Sequence, residues 1–423
     1  MSLLLVGIVL LMLSGLPLFL VLSALTLTGL TSAGLDLSLY FAELLRLARN
    51  PTLVAVPLFT FAGYLLAESR APERLVRLAR ALVGWLPGGL AVVALMVMAL
   101  FTAFTGASGI TIVAMGGLLL PALLKSGYRE RFSLGLLTAS GSLGLLFPPS
   151  LPLILYGVVS ETSIDKLFIG GVVPGLLMVT ALSLFCVRHG ISIKVAEGSS
   201  REPLLPALRE AGWEVALPVV VVGGIYGGLF TVTEAAVVTA TYLIVVECFI
   251  IGDIHPLRDL PRVLKESSVL IGGILLILGA ALALTNYLVY ADVPTVLLGW
   301  ISSMVTSPLI FLLLLNVFLL LVGCLMDIFS ALVVVVPLIL PLAQGYGIDP
   351  VHLGIIFLAN LEIGYSTPPI GLNLFIASFR FKQPILKLYH ATLPFLAIRL
   401  VTLALVTYIP ALTLYPVELF ASR

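Results

Sequence analysis

Long apolar segments separated by short polar connections run through most of the 423-residue chain. The segments are continuously apolar, without the alternation of strands, and are long enough for helices to cross a hydrocarbon layer of about 30 Å. The pattern therefore predicts an all-α polytopic membrane protein. We place complete crossings at about 3–28, 51–69, 132–158, 167–187, 213–230, 234–252, 267–289, 353–378 and 391–415.

Two further apolar regions, 87–122 and 308–343, carry small or polar residues at their centres. Dividing the first at Thr105-Gly106 leaves pieces of about 15 residues, which reach about 22 Å as helices and fall short of the hydrocarbon thickness. Such pieces are tolerated in a membrane where they are buried in protein or line a wet cavity. Both regions are therefore predicted to be re-entrant helical hairpins.

A Pro-Pro pair interrupts two of the apolar segments at matching places. Pro148-Pro149 follows Gly144, and Pro368-Pro369 follows Gly364, 220 residues further along the chain. Proline lacks a backbone N–H donor and clashes with the preceding turn, so each crossing helix is predicted to break there. Broken helices at corresponding positions of two repeats are typical of secondary transporters, which bind substrate at the breaks.

The duplicated pattern divides the chain into two repeats joined by a polar linker. Repeat one covers 1–190 with its hairpin at 87–122 and broken helix at 132–158, the linker covers 191–212, and repeat two covers 213–423 with its hairpin at 308–343 and broken helix at 353–378. The segment 71–83 is predicted to be an amphipathic interfacial helix, with a counterpart at about 291–303. Such helices would tether a moving domain to a fixed one, or serve as ordinary interfacial helices.

Composition excludes a soluble protein. Hydrophobic residues make up 60% of the chain and charged residues 10%, with a mean hydropathy of +1.20, which leaves too few charges for a soluble surface. The net charge is +1 and no basic patch is interleaved with aromatic residues, so nucleic acid is not an expected partner. The three cysteines lie in or at the ends of apolar runs and give no disulfide framework.

The basic residues orient the predicted topology. Of the 22 lysines and arginines, 17 lie on five connections that our topology places on one side of the membrane. These connections are 70–80, 125–131, 188–209, 258–265 and 380–387. The positive-inside rule puts them in the cytoplasm of a bacterial or archaeal cell, with the N-terminus cytoplasmic and the C-terminus periplasmic. The two hairpins then enter the inner membrane from opposite faces, so the repeats are predicted to be inverted.

Both hairpin tips and both breaks are expected to converge on one site. A break frees carbonyls that suit a hard cation such as Na⁺, and the following half-helix presents N–H groups and a positive dipole end to a carboxylate. The candidate Na⁺ ligands, largely backbone carbonyls, are Thr105, Gly106, Ser108, Gly144, Pro148, Gly323, Asp327, Gly364, Ser366 and Thr367. The candidate substrate contacts are Ser108, Pro149, Ser150, Thr367, Pro369 and Asn373. Alternatively, the small residues among them only permit close helix packing.

Four charged residues in the apolar segments each have two interpretations. Asp327 lies at the second hairpin tip, where a charge is expensive, and either couples the cation or substrate or caps the second half-helix. Glu362 either couples a proton or cation or pairs with a nearby donor. Glu234 fits a capping box with Thr231 more readily than a transport role. Arg399 is expected to snorkel or to pair within the protein.

These motifs resemble the large membrane subunit of tripartite ATP-independent periplasmic (TRAP) transporters, in the ion transporter superfamily. The resemblance runs nearly end to end and is sharpest in 120–157, 228–236 and 323–378. It implies sodium-coupled import of an organic acid by an elevator motion of a transport domain against a scaffold. It also implies a small four-helix membrane subunit and a periplasmic substrate-binding protein as partners. In one departure, tip one reads Gly106-Ala107-Ser108-Gly109 where the family is typically serine-rich.

Three other functions are weighed against this one. A stand-alone sodium- or proton-coupled dicarboxylate carrier of the same superfamily would need neither partner and is the alternative prediction. The Gly-x-Ser-Gly of tip one matches rhomboid proteases, but all four histidines fall in loops or at span ends, so no base is available and no enzyme activity is expected. A channel is disfavoured because two occluding hairpins suit alternating access better than a continuous pore.

Overall fold

The computed structural model describes residues 16–193 and 203–421, and these residues form helices and no strand. The first ten helices are α1 Leu18–Ser32, α2 Ser38–Ala48, α3 Ala55–Glu68, α4 Ala71–Val83, α5 Gly89–Thr105, α6 Ser108–Lys125, α7 Glu130–Ser140, α8 Leu151–Ser160, α9 Ile164–Ile193 and α10 Leu204–Glu210. The others are α11 Gly212–Tyr226, α12 Val232–Val245, α13 Asp259–Tyr290, α14 Val293–Met304, α15 Pro308–Leu325, α16 Ile328–Gly345, α17 Pro350–Gly364, α18 Leu372–Phe381, α19 Ile385–Tyr408 and α20 Ala411–Ala421.

Eight helical segments among the described residues are long and apolar enough to cross a membrane. They are Pro51–Glu68, Ser108–Lys125, Ile164–Ile191, Val232–Ile250, Asp259–Tyr290, Pro308–Leu325, Ile328–Gly345 and Ile385–Tyr408. A ninth is the broken pair Glu130–Leu146 and Leu151–Ser160, which bends by 46° at the first Pro-Pro. The predicted class, an all-α polytopic membrane protein, is therefore confirmed.

The order of elements repeats with nearly the spacing seen in the sequence. Helices α5 to α9 begin at residues 89, 108, 130, 151 and 164, and helices α15 to α19 begin at 308, 328, 350, 372 and 385. Both broken helices are interrupted where the Pro-Pro pairs predicted, before Leu151 and before Leu372, and both Pro-Pro peptide bonds are cis. Each set comprises a two-helix hairpin, a broken helix and a long helix.

The hairpin arms are longer than the sequence indicated. Helix α5 has 17 residues and α6, α15 and α16 have 18 each, instead of about 15. At about 1.5 Å per residue, 18 residues extend to about 27 Å, close to the hydrocarbon thickness. Helices α6 and α16 are longer because they continue beyond the predicted apolar regions, to Lys125 and Gly345, whereas α5 and α15 lie within those regions.

Three further elements differ from the predicted topology. The predicted span 391–415 is two helices, because Pro410 interrupts the chain between Tyr408 and Ala411. Helix α2 lies in a stretch expected to be a connection, and α10 lies in the predicted linker, of which 194–202 fall outside the described residues. The first predicted span, 3–28, is described only from residue 16, and its helix continues to Ser32.

The helices pack into two groups. Helices α1, α2, α3, α12 and α13 are called the frame here, with α11 packed on α12, and α5–α9 and α15–α20 form a second group, the hairpin body. The two groups are in direct contact, because α3 packs on α5 and α8 and α13 packs on α16. The amphipathic helix α4 and its counterpart α14 each contact both groups. Within the hairpin body, the second arm of each hairpin packs on the broken helix of the other repeat, α6 on α18 and α16 on α8. The two repeats are therefore interlocked.

Candidate functional site

Both hairpin tips and both breaks border one cavity of about 310 Å³. Tip one contributes 106–110, tip two contributes 327–329, and the breaks contribute Leu145, Tyr365 and Leu372. The frame closes the cavity with Tyr64 and Leu270. The structure thus brings together the four segments that the sequence predicted to converge.

Eight of the residues that line this cavity form pairs separated by 220 positions: Ser108 with Ile328, Leu145 with Tyr365, Ala107 with Asp327, and Gly109 with Phe329. The other lining residues, including Leu372 and Ile376 of the second broken helix, have no such partner in the lining, so the two repeats contribute unequally. Tip two presents a carboxylate where tip one has only a methyl group.

Tip one is a tight turn held by its backbone and by threonine hydroxyls. Gly106 has φ +63, and its N–H donates to the carbonyl of Thr102 at 2.8 Å; a Cβ here would lie 2.6 Å from the Cβ of Leu151. The hydroxyls of Thr102 and Thr111 are 2.8 Å apart, and that of Thr105 is 3.4 Å from Thr111. Thr105 and Ser108 are buried, and Ser108 lines the cavity.

Asp327 is the N-cap of α16 at tip two. Its Oδ1 accepts hydrogen bonds from the backbone N–H groups of Phe329 and Ser330, both at 3.0 Å, and its Oδ2 accepts from the Ser330 hydroxyl. The capping interpretation is confirmed. The residue is nevertheless exposed and lines the cavity, so a second role in binding a cation stays a prediction.

At the first break, the predicted site residues mainly make packing contacts and hydrogen bonds within the protein. Gly144 lies directly on α5, where a Cβ would be 2.1 Å from the carbonyl oxygen of Ala99. The buried Ser150 hydroxyl donates to the carbonyl of Leu145 at 2.5 Å. Pro149 is buried, and Pro148 lines a separate apolar cleft of about 410 Å³ instead of the cavity between the tips.

The second break is closed by backbone contacts with tip two. The Cβ that Gly364 lacks would lie 2.6 Å from the carbonyl carbon of Gly323, and the N–H of Gly371 donates to the carbonyl of Cys324 at 3.0 Å. The Thr367 hydroxyl donates to the carbonyl of Ile363 at 2.9 Å. The exposed Pro369 accepts a hydrogen bond from the hydroxyl of Tyr389.

Asn373, at the start of α18, is fully buried beside the second break. Its backbone N–H donates to the carbonyl of Tyr365 at 3.0 Å, and its side-chain amide approaches the carbonyl of Thr138 at 3.5 Å. Among the described residues, its Oδ1 has no hydrogen-bond partner. A buried amide oxygen is usually satisfied, but Asn373 does not line the cavity, so its role as a substrate contact stays a prediction.

Glu362 and Arg399 form an ion pair with both side chains fully buried. Nη2 of Arg399 donates to Oε1 of Glu362 at 2.8 Å, and Nη1 donates to the carbonyl of Ala139 at 3.0 Å. Ser142 and Ser366 also accept from the guanidinium, at 3.2 and 3.4 Å. The pairing interpretations of both charged residues are confirmed. No local sequence pattern could match Glu362 with Arg399, because 37 positions separate them.

Glu234 and Thr231 form the predicted capping box at the start of α12. Glu234 accepts from the backbone N–H of Thr231 at 2.8 Å, and its own N–H donates to the Thr231 hydroxyl at 3.3 Å. The box borders a polar cleft of about 900 Å³ between the frame and the hairpin body. Sequence reasoning missed this cleft, which Arg46 and Arg49 line.

The donor atoms around the cavity fit a hard cation. Within the described ranges, no group of three His, Cys, Asp or Glu side chains could hold a metal ion. The available atoms are one carboxylate, hydroxyls and the carbonyls at helix ends, which is the type of ligand set that coordinates Na⁺ in transporters with broken helices.

Comparisons with known proteins agree with this geometry. Residues 5–412 match the family described as "Tripartite ATP-independent periplasmic transporter, DctM component". The C4-dicarboxylate TRAP transporter large permease protein DctM of Pseudomonas aeruginosa is 38% identical over 374 residues, which cover 88% of this chain and 87% of that protein. The isethionate TRAP transporter permease protein DctMQ of Oleidesulfovibrio alaskensis is 36% identical over 368 residues, 86% of this chain and 58% of that protein.

A solved structure shares the fold at low sequence identity. The crystal structure of the YdaH transporter of Alcanivorax borkumensis, described as having an unusual topology, is similar with a TM-score of 0.65. The match covers 89% of this chain and 88% of that one at 15% identity. The architecture of frame and hairpin body is therefore that of a known transporter fold.

Proposed function

Because this chain belongs to the family of DctM components of tripartite ATP-independent periplasmic transporters, we propose that it is the permease subunit of a sodium-coupled importer for a small organic anion. The observation that carries the proposal is the cavity at which both hairpin tips and both helix breaks meet. The names of the two relatives specify a dicarboxylate and a sulfonate, so the proposal extends to a class of anions and not to one compound.

In this proposal, Na⁺ binds where helices end. The last carbonyls of α7 and α17 carry the negative end of the helix dipole. Those of α17 already accept hydrogen bonds, including two from the backbone N–H groups of Ser366 and Thr367, so Na⁺ would coordinate through their second lone pairs. Gly323 lies beside the end of α17, Gly106 lies beside Leu151, and Asp327 supplies the one formal charge at tip two. Tip one would bind its ion with neutral oxygens alone, from Thr105, Ser108 and the backbone.

The anion would bind at the opposite ends of the breaks. Helices α8 and α18 begin at Leu151 and Leu372, where the positive end of the helix dipole favours a carboxylate or sulfonate. The second residue of α8 is a proline and the N–H of Asn373 in α18 already donates to Tyr365, so the dipole would contribute more than a set of free N–H groups. Leu372 lines the cavity, whereas the unpartnered amide oxygen of the neighbouring Asn373 is an acceptor and would suit the cation, not the anion. A cation bound nearby would then attract the anion, which couples the two ligands.

We further propose that the two repeats are inverted and that transport is an elevator motion of the hairpin body past the frame. Reciprocal packing of α6 on α18 and of α16 on α8 supports a two-fold relation between the repeats. Helices α4 and α14 contact both groups and are suited to act as tethers. A small membrane subunit would hold the frame, and a periplasmic binding protein would deliver the anion.

Uptake into proteoliposomes tests this function. Vesicles would contain the chain with its small membrane subunit, and a labelled C4-dicarboxylate and isethionate would each be offered with and without an inward Na⁺ gradient and the cognate binding protein. We expect uptake only when gradient and binding protein are both present. Sodium-driven uptake without the binding protein would instead identify a stand-alone carrier. Uptake that persists without any ion gradient would contradict the coupled mechanism.

A further inference from the structure

One side-chain contact joins two positions that are equivalent in the two repeats. The hydroxyl of Ser142 donates to the backbone carbonyl of Glu362 at 3.1 Å, and the two residues are 220 positions apart, the spacing of the repeats. In a two-fold arrangement, a residue touches its own equivalent only at the axis. The Ser142–Glu362 contact therefore lies where a two-fold axis between the repeats would pass.

The surrounding contacts follow the same relation. Gly144 packs on the first arm of hairpin one beside Ala103, and Gly364 packs on the first arm of hairpin two beside Gly323. These two contacts are again separated by 220 positions. The two breaks therefore share this glycine contact, although Pro149 is buried and Pro369 is exposed, and the ends of α7 and α17 meet at the Ser142–Glu362 contact.

Arg399 disturbs this equivalence. Its guanidinium donates to Ala139 and Ser142 at the end of α7, and to Glu362 and Ser366 at the end of α17. Helices α9 and α19 begin 221 positions apart, so the equivalent of Arg399 in repeat one is the buried Met178. One guanidinium from repeat two therefore holds the C-terminal ends of both half-helices.

The positive charge of Arg399 matters because the two helix ends that it contacts are the ends that would bind cations. A positive charge buried beside them would oppose Na⁺ binding at both breaks unless a negative charge offsets it. Glu362 provides that charge at 2.8 Å, and both side chains are fully buried. A planar guanidinium can hold several acceptors in a fixed geometry, whereas an ammonium group is a compact point charge.

We propose that Arg399 and Glu362 are shared positioning residues that set the Na⁺ affinity at both breaks without touching the ions or the anion. This inference rests on the proposed sodium coupling. The pair would fix the direction of the carbonyls at the ends of α7 and α17 together, and its neutrality would keep both ends attractive to cations. A change at this pair would then alter Na⁺ dependence at both breaks at once.

The experiment is a Na⁺ titration of uptake by reconstituted Glu362→Gln and Arg399→Lys, with anion half-saturation measured at saturating Na⁺. We expect Glu362→Gln to raise the Na⁺ half-saturation concentration about tenfold or more, because it leaves a buried positive charge near both ends. Arg399→Lys keeps the charge but cannot hold both ends, so we expect a rise of several-fold. The anion half-saturation concentration should change less than about twofold in both, since the pair does not touch the anion.

Glu68→Gln is the matched control, because it removes a carboxylate from an exposed pair with Arg262. It should leave the Na⁺ titration unchanged. Folded variants that retain the wild-type Na⁺ titration, or that change anion and Na⁺ half-saturation equally, would overturn the inference. If Glu362→Gln fails to reach the membrane, the result for Arg399→Lys decides alone. Wild-type uptake that does not respond to Na⁺ would refute the proposed function first and this inference with it.

Discussion

Asp327 caps α16, and a single substitution can separate this cap from the cation-binding role proposed for its carboxylate. Asparagine is about as good an N-cap as aspartate, so Asp327→Asn should keep the cap on α16 while removing the charge from the cavity. We expect normal amounts of folded protein and loss of sodium-driven uptake by about 100-fold, because the site at tip two would lose its one formal charge. Uptake in proteoliposomes and thermal unfolding in detergent measure the two effects.

The matched control for that substitution is Asp349→Asn. Asp349 caps α17 in the same way, accepting from the backbone N–H groups of Val351 at 2.7 Å and His352 at 3.3 Å. It is exposed but does not line the cavity, so its loss of charge should leave uptake close to wild type. Equal loss of uptake in both variants would show that the cap, and not the charge in the cavity, is what transport requires.

At the residue scale, the sequence predicted where the two helices break better than it predicted what each side chain contacts. Pro148-Pro149 and Pro368-Pro369 marked the breaks because proline acts on its own backbone, whatever surrounds it. The hydroxyls of Ser150 and Thr367 bond to nearby carbonyls, and Pro148 lies in a different cleft. Those outcomes depend on the rotation of each half-helix after the break, which no local pattern specifies.

At the scale of elements, Arg74 attaches the amphipathic helix α4 to α11 and to the segment that follows α12. Its guanidinium contacts Glu214 and Asp253 at 2.5 Å and Glu247 at 3.0 Å, and both glutamates are buried. Replacing Arg74 by Ala would leave these carboxylates close together and unpaired. We expect the free energy of unfolding to fall by about 3–5 kcal/mol, as when one partner of a buried ion pair is removed.

Arg77→Ala is the comparison for this prediction. Arg77 lies one turn along α4 and pairs with Glu210, but both side chains are about half exposed. Its removal should cost no more than about 1 kcal/mol, the usual contribution of an exposed pair. Thermal or denaturant unfolding in detergent measures both variants. Similar losses in the two would mean that the acidic cluster does not anchor the helix.

The sequence predicted the elements well where the signal is local and less well where it depends on packing. The amphipathic pattern of α4 and the capping box of α12 were confirmed, because each is encoded within one or two turns. Pro410 was passed over inside an apolar run, although it divides the last predicted span. Helix α2 was missed because a short helix in a connection has neither the length nor the apolar composition of a crossing.

At the scale of the whole molecule, the number of apolar segments determined the class and the spacing of repeats indicated the architecture. The packing of α6 on α18 and of α16 on α8 could not be predicted from the apolar segments or from the repeat spacing. Hydropathy indicates which residues lie within the membrane but not which helices are neighbours. The division into frame and hairpin body likewise emerges only from the packing. The elevator proposal depends on this division, because it requires the hairpin body to move past the frame.

The contact between Arg46 and Glu161 offers a direct test of that motion. Arg46 belongs to α2 of the frame, Glu161 follows α8 of the hairpin body, and their side chains approach to 3.6 Å. In a background from which the three native cysteines have been removed, a bifunctional thiol reagent across Arg46→Cys and Glu161→Cys would join the two groups. We expect uptake to stop on crosslinking and to return on reduction, because an elevator requires the groups to slide past each other.

Crosslinks within one group provide the comparison. Glu130 and Lys387 pair inside the hairpin body at 2.7 Å, and Glu68 and Arg262 pair inside the frame. The corresponding cysteine pairs should form crosslinks of similar yield and leave uptake unchanged, since each group moves as a unit. Full uptake with the frame joined to the hairpin body would exclude an elevator and leave a local opening of the hairpin tips as the route of access. Loss of uptake in all three pairs would instead place the moving parts inside the groups.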